Sequence, residues 1–338
     1  MTIVPALWKI RDATKMKRVL VTGSEGSLMQ AVIPKLIAQN YYVVGVDNLL
    51  RYGDESLLAN VEYEFVKMDL TDRKKVEKLF KKVKPDYVIQ AAARIYGVGG
   101  FNKYCADILG EDITLHNNIL RAAAENNVER VIYISSSMVY ENCPQDMDEP
   151  VFEAMVDRFT APYTEYGLSK FAGERLSIAF AKQYGLDYTI WRPFNIITPH
   201  EKVNNQDLGV SHVFADFIEN IVVKKMNPLP IIGDGSQVRC FTWIDEVAEA
   251  IATHSFTGAT KNEIYNLGNP EPITMKQLAE IIYAEAGFDG ELKFETVANY
   301  KNDVMVRIPN VNKAKQFLNW QANKRVTESI RECLAQFA

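Results

Sequence analysis

The sequence predicts an α/β protein, with a doubly wound parallel sheet over its first 195 residues and a smaller C-terminal α/β domain. Three observations predict it. Short apolar runs alternate with helix-length segments from Lys17 to Arg192. A glycine loop, Thr22-Gly-Ser-Glu-Gly-Ser-Leu-Met29, joins the first run to the first helix. The alternation then breaks after Pro193, where a polar, proline-containing stretch begins.

Lys17–Thr22 reads as the first strand and Gln30–Gln39 as the helix after it. Tyr42–Val46 is the second strand, ending at Asp47, and Glu62–Lys67 the third. Arg73–Lys84 is a charged helix and Tyr87–Ala91 the fourth strand. Asp112–Asn126 carries Ile113, Ile119, Leu120 and Ala123 at helical spacing. Arg130–Ser135 is the fifth strand, Tyr166–Tyr184 a long helix and Asp187–Arg192 the sixth strand. This alternation makes βαβ units with right-handed crossovers. Beyond it, Asn195–Asp207 reads as loop, and Val210–Lys225, Trp243–His254, Met275–Ala286 and Lys324–Phe337 as helices. Pro228–Val238 contains the turn signal Gly233-Asp-Gly235, and Ile264–Leu267 is a short strand. The expected organisation is an extension at residues 1–16, a nucleotide-binding domain at 17–195 and a second domain at 196–338. The chain is expected to cross back near Gln237–Phe256. The extension, with Trp8, Lys9, Arg11 and Asp12, has no continuous apolar stretch, so a signal peptide is not read there.

Composition narrows the function. Of 338 residues, 47% are hydrophobic and 24% charged, which suits a globular enzyme. A net charge of −5 does not favour nucleic acid or an anionic membrane as partner. No apolar run approaches the roughly 18 residues of a membrane span. Cys105, Cys143, Cys240 and Cys333 lack metal-ligand spacing, so no metal site is expected. Scattered thiols of this kind suit a reducing cytoplasm.

The glycine loop is a Rossmann-type signature. Gly23 permits the tight turn, and Gly26 lets backbone approach a pyrophosphate at the helix N-terminus. Met29 stands where a third glycine would serve close packing, so the helix is expected to sit slightly away from the sheet. Asp47, about twenty residues on, suits both hydroxyls of an adenosine ribose and repels a 2′-phosphate; NAD is therefore expected rather than NADP. Arg51 is the nearby cation that would suit a 2′-phosphate.

Tyr166 and Lys170 stand four residues apart, on one face of a helix. A lysine ammonium beside a phenol favours phenolate and is expected to lower the tyrosine pKa toward neutrality. Tyr166 would then take a hydroxyl proton while hydride leaves for a nicotinamide.

These motifs occur together with V-D-N-L at Val46, Asp69-Leu70, Ala91–Ala93, S-S-S-M-V-Y from Ser135, R-P-F-N from Arg192 and G-D-G-S-Q-V-R from Gly233. In this order they resemble the extended short-chain dehydrogenases/reductases of the nucleotide-sugar epimerase/dehydratase group, from Lys17 to about Trp320. The resemblance implies a catalytic triad of Ser136, Tyr166 and Lys170. It implies cofactor contacts from Gly23, Glu25, Gly26, Ser27, Leu28, Asp47, Asn48, Asp69, Leu70, Ala91, Ala92, Ala93 and Pro193, besides Tyr166 and Lys170. Substrate contacts are implied for Ser136, Ser137, Met138 and Asn195, and for Arg239 and Arg307 as diphosphate-binding cations. The Arg94–Asn102 segment, with Gly97 and Gly99, is similar to the substrate-flanking loop of GDP-mannose 3,5-epimerases and GDP-fucose synthases; glycine there would let backbone approach a sugar ring. His200, Glu201 and His212 fall where relatives contact sugar, with a structural role at least as well supported.

Relatives that eliminate water carry an acid and a base after the triad serine, and the 3,5-epimerases a cysteine in the second place. Here those places hold Ser137 and Met138, and a thioether transfers no proton. The expectation is NAD-dependent oxidation at C4 of a nucleotide-diphosphate sugar, GDP-linked among the candidates, by a 4-dehydrogenase or 4-epimerase of surface-polysaccharide synthesis. The alternatives are a 3,5-epimerase or 4,6-dehydratase, a non-catalytic dinucleotide sensor, and a reductase of an apolar substrate. Relatives commonly pair two helices per subunit, which implies a homodimer or higher homo-oligomer.

Overall fold

The first four apolar runs pair side by side around the glycine loop. In a computed structural model of the chain, which describes residues 16–51, 53, 58, 61–144, 146–201, 203, 209–299 and 303–337, these are β1 (Arg18–Thr22), β2 (Tyr42–Asp47), β3 (Glu64–Lys67) and β4 (Tyr87–Gln90). With β5 (Arg130–Ile134), β6 (Asp187–Pro193) and β11 (Glu263–Leu267) they form one seven-stranded sheet in the order β11-β6-β5-β4-β1-β2-β3. Every pair in it is parallel. The order reverses between β1 and β4, which opens a crevice at the carboxyl ends of those strands. The expected extension at residues 1–16 lies almost wholly outside the described residues, as does part of Asn195–Asp207.

Alternation along β1 shows how the sheet is held. Val19 and Val21 enter one core and Leu20 the other. The first core is closed by α1 (Ser27–Ala38) through Val32, Ile33 and Leu36. The second is closed by α2 (Arg73–Val83), α4 (Cys105–Glu125) and α5 (Glu165–Tyr184). In α2, Val76, Leu79, Phe80 and Val83 form one buried stripe, and the Asp72 carboxylate accepts from Lys75 N at 3.1 Å as the N-cap. Such a cap satisfies one of the N–H groups that the first turn leaves without an intrahelical partner.

Several elements differ from expectation. The first helix begins at Ser27, directly after the glycine loop. Met29, at the third glycine's place, is 1% exposed and packs within the first core. Arg94–Asn102 is only partly loop, because Val98–Lys103 forms a helical turn (α3). The following helix starts at Cys105, seven residues ahead of Asp112, because Ile108 packs beside Tyr166 and draws the chain in. The single helix expected at Val210–Lys225 is α6 (Val213–Phe217) continued by a π-helical turn, Ile218–Val223.

Beyond β6 a second core gathers around Phe214, Phe217, Phe241, Leu278 and Ile330. It includes α8 (Met275–Glu285) and α10 (Val326–Leu334), near three two-stranded ladders: β7 (Ile196–Ile197) with β10 (Thr242–Trp243), β8 (Leu229–Ile232) with β13 (Phe294–Val297), and β9 (Val238–Cys240) with β12 (Pro272–Thr274). The chain also returns to the first core: α7 (Ile244–His254) packs Val247, Ala248 and Ile251 there. So does α9 (Asn312–Leu318), a helix not read from sequence.

Candidate active site

The crevice over β1 and β4 widens into a cleft of about 730 Å³ that runs on between the two cores. At its base Gly23 turns with φ +65°, and a Cβ there would lie 2.8 Å from Ala92 N. The loop is therefore pressed against the end of β4, where Thr22 Oγ1 accepts from Ala91 N and Ala92 N at 3.2 Å. Gly26 caps α1 without a side chain, so the first-turn N–H groups and the positive end of the helix dipole face the cleft. A pyrophosphate suits that position. The Asp47 carboxylate accepts from Glu25 N at 3.1 Å and from Leu49 N at 2.8 Å, which fixes its direction. Asn48 and Asp69 accept from Leu50 N and Thr71 N in the same way. Arg51 is turned to Glu201 at 3.6 Å and lies over the Tyr96 ring. Together these residues fit an adenine dinucleotide with a free ribose.

The three residues expected to form a triad come from two elements. Ser136 ends β5 and caps the 3-10 turn Ser137–Tyr140, its Oγ accepting from Met138 N at 3.2 Å. It stands near enough to the Tyr166 phenol to favour its ionised form. Thr164 caps α5, and from that start Tyr166, Lys170 and Glu174 follow at i, i+4 and i+8 along one stripe. Tyr166 is 7% exposed and stacks on Phe101 of α3, with centroids 4.7 Å apart and planes at 9°. Lys170 Nζ donates to Ile134 O at 3.0 Å and sits 5.8 Å from the Tyr166 ring centre.

The electrostatics correct one expectation. Burial pushes the Tyr166 phenol above its ordinary pKa, and Ser136 only partly opposes this. Lys170 does not bring the phenol toward neutrality here. Its own pKa is lowered by burial, against the pull of Asp112 and Glu174. NAD, when bound, would supply the hydride acceptor and a positively charged nicotinamide, with the Gly23–Gly26 turn and Asp47 as the residues that would hold it.

The substrate end also differs in detail. Ser137, Met138, Asn195, Arg239 and Arg307 line the cleft with Gly97 and Ser136. Gly99 is not part of the lining. Its N–H donates to Gly209 O at 2.9 Å, and Gly97 N donates to Val210 O at 2.8 Å. A Cβ on Gly97 would lie 2.0 Å from Ser211 O. The backbone that these glycines admit is therefore residues 209–211 of their own chain. Arg307 is 4% exposed; its Nη1 lies 2.8 Å from Met138 Sδ, and its Nε is buried without a hydrogen-bond partner. Arg239 is held by Asp303 at 3.4 Å. Burial and the neighbouring Arg307 pull its pKa down to about 10. A buried guanidinium, Arg307, and a part-buried one, Arg239, facing one cleft suit a dianion such as a diphosphate. Glu201 pairs with His212 Nδ1 at 2.7 Å. His200 is not part of the lining.

Three residues of the site were missed from sequence. Glu141 lies one 3-10 turn after Met138 on the same face, and both of its oxygens accept from Thr164, from N at 3.0 Å and from Oγ1 at 2.5 Å. Asp112, 6% exposed, accepts from Arg94 N at 2.8 Å. Burial raises it to about 6, with Lys170 opposing. Phe101 is the third. Their position against Tyr166 or its helix comes from packing, so no local spacing announced them. Among the described residues no group of acids, histidines and cysteines could hold a metal ion, and no helix is long and apolar enough to cross a membrane.

The comparisons agree with this geometry. Residues 19–268 match the model of the NAD dependent epimerase/dehydratase family. GDP-L-fucose synthase 1 of Arabidopsis thaliana is 28% identical over 83% of this chain and 81% of its own. UDP-glucuronate 4-epimerase of Thermodesulfobacterium geofontis is 30% identical over 92% of this chain and 93% of its own. The crystal structure of UDP-glucose 4-epimerase from Thermotoga maritima with UDP-glucose superposes with a TM-score of 0.79 at 26% identity, covering 95% of this chain and 98% of that one. The family match over residues 19–268 and these relatives place the chain in the NAD-dependent epimerase/dehydratase family, as an NAD-dependent enzyme of the extended short-chain dehydrogenase/reductase type.

Proposed function

We propose that this enzyme oxidises C4 of a nucleotide-diphosphate sugar, as a 4-epimerase or a 4-dehydrogenase of surface-polysaccharide sugar synthesis. The observation that carries the reading is the neighbourhood of Ser136. The two following positions hold Ser137 and Met138, and the carboxylate on that face, Glu141, is occupied by Thr164. The residues then divide the work. With the positive charge of a bound nicotinamide to oppose the cost of burial, Tyr166 would take the C4 hydroxyl proton as phenolate and later return one. Ser136 donates to the same oxygen and steadies its charge. Lys170, whose Nζ donates to Ile134 O, would hold the nicotinamide ribose when the cofactor is bound. Arg239 and Arg307 clamp the diphosphate, so that the sugar reaches Tyr166. The 4-keto sugar either turns and is reduced on its other face or leaves as product.

Relatives that act on GDP- and UDP-linked sugars support either kind of substrate. The glycines of Arg94–Asn102, explained by residues 209–211, no longer argue for GDP. A test incubates the enzyme with GDP-, UDP-, CDP- and dTDP-sugars in deuterium oxide and follows mass and absorbance at 340 nm. Loss of two hydrogens with NADH formed marks a 4-dehydrogenase. An unchanged mass with a new stereoisomer and no carbon-bound deuterium marks a 4-epimerase. Deuterium gained at carbon, or loss of water, overturns the proposal.

A further inference from the structure

The glycine loop carries an acid between its two glycines. Glu25 is 4% exposed and lines the cleft beside Asp47, whose carboxylate accepts the Glu25 N–H at 3.1 Å. One of its oxygens, Oε1, accepts from the Tyr63 hydroxyl. The other, Oε2, is buried and has no hydrogen-bond partner.

The surroundings are built to hold this carboxylate in place. Tyr63 reaches it across Gly45 of β2, where a Cβ would lie 2.3 Å from the tyrosine ring. Burial and the Glu25 contact push the Tyr63 phenol well above its ordinary pKa, so it remains a donor. Packing and the Tyr63 hydrogen bond would be served equally by glutamine. What glutamine lacks is the charge.

We propose that Glu25 is a specificity-determining residue, which with Asp47 makes a two-carboxylate edge that accepts a ribose with a free 2′-hydroxyl and rejects one with a 2′-phosphate. The acid at the end of the second strand of such a sheet meets the ribose hydroxyls. A 2′-hydroxyl can meet the Asp47 carboxylate, beside which Glu25 adds a second negative charge held by Tyr63. A phosphate monoester brings about −1.5 to −2 charges and only acceptor oxygens. Repulsion between buried like charges is far stronger than in water. The cation that could offset it, Arg51, is drawn to Glu201 at 3.6 Å.

The test is fluorescence titration of the full chain with NADH and with NADPH, for the unaltered protein, E25Q, E25S and D47N. E25Q should lower the NADPH Kd at least tenfold and change the NADH Kd less than threefold. E25S, smaller and uncharged, should shift the NADPH/NADH ratio in the same direction. D47N, with Glu25 in place, should still bind NADH more tightly than NADPH. Thermal unfolding shows which variants are folded, and either folded Glu25 variant decides the matter. An NADPH/NADH ratio unchanged in a folded Glu25 variant overturns the proposal, as does an equal loss of both cofactors. Because the readout is cofactor binding alone, its outcome is independent of which sugar the enzyme oxidises.

Discussion

Glu174 and Arg192 form an ion pair behind the catalytic helix that is 1% and 2% exposed, and removing Glu174 tests what holds α5 in place. Arg192 Nε and Nη2 donate to the two Glu174 oxygens at 2.8 and 2.6 Å, a bidentate pair. Arg192 Nη1 also donates to Tyr140 Oη at 2.8 Å and Glu153 O at 2.9 Å, and Ser135 Oγ donates to Glu174 Oε1 at 2.5 Å. The network joins α5 to the end of β5, one turn from Lys170. Glu174→Ala leaves a buried guanidinium without its counter-charge, which costs about 3–5 kcal/mol. Unfolding entropy for 338 residues is about 0.7 kcal/mol per kelvin, so Tm should fall by about 4–7 °C. Thermal unfolding followed by circular dichroism measures this. A double-mutant cycle with Arg192→Met should give a coupling energy above about 1.5 kcal/mol. A Tm shift under about 1 °C, or a coupling within about 0.5 kcal/mol of zero, would show that the pair does not hold the helix.

Three further predictions concern the cleft. Tyr166→Phe should lower turnover by about 10²–10⁴ while NADH binds as before; full turnover with the correct sugar would remove Tyr166 as the base. Arg307→Met should raise KM for the nucleotide sugar about 10- to 100-fold, from loss of a charge-assisted hydrogen bond of about 1.5–3 kcal/mol, with kcat changed much less; a fall confined to kcat would contradict a diphosphate clamp. Asp112, raised to about 6 from 3.8, stabilises the fold fully only below its unfolded pKa, and this contribution is lost as pH rises through about 6. Relative to Asp112→Asn, the unaltered protein should lose about 1.4 kcal/mol between pH 5 and 7.5, one pKa unit of linkage. Urea unfolding at the two pH values measures the difference, and a pH-independent difference would mean that Asp112 is not held protonated by its burial.

The sequence by itself determined what depends on near neighbours along the chain. Residues of alternating face and of 3.6-residue period place β1, β2, α2 and α5 without reference to anything distant. The glycine loop and the Tyr166–Lys170 spacing are local for the same reason, since a tight turn needs Gly23 and one helical turn separates i from i+4. Tertiary structure alone decided what depends on contact between remote segments. Phe101 meets Tyr166, Tyr63 reaches Glu25 across Gly45, and Gly97 receives the backbone of residues 209–211. The sequence reading of the Tyr166 phenol failed on the same ground. A charge four residues away is visible in the sequence, but the burial that outweighs it is contributed by Phe101, Ile108 and Met138, which only the fold brings around the ring.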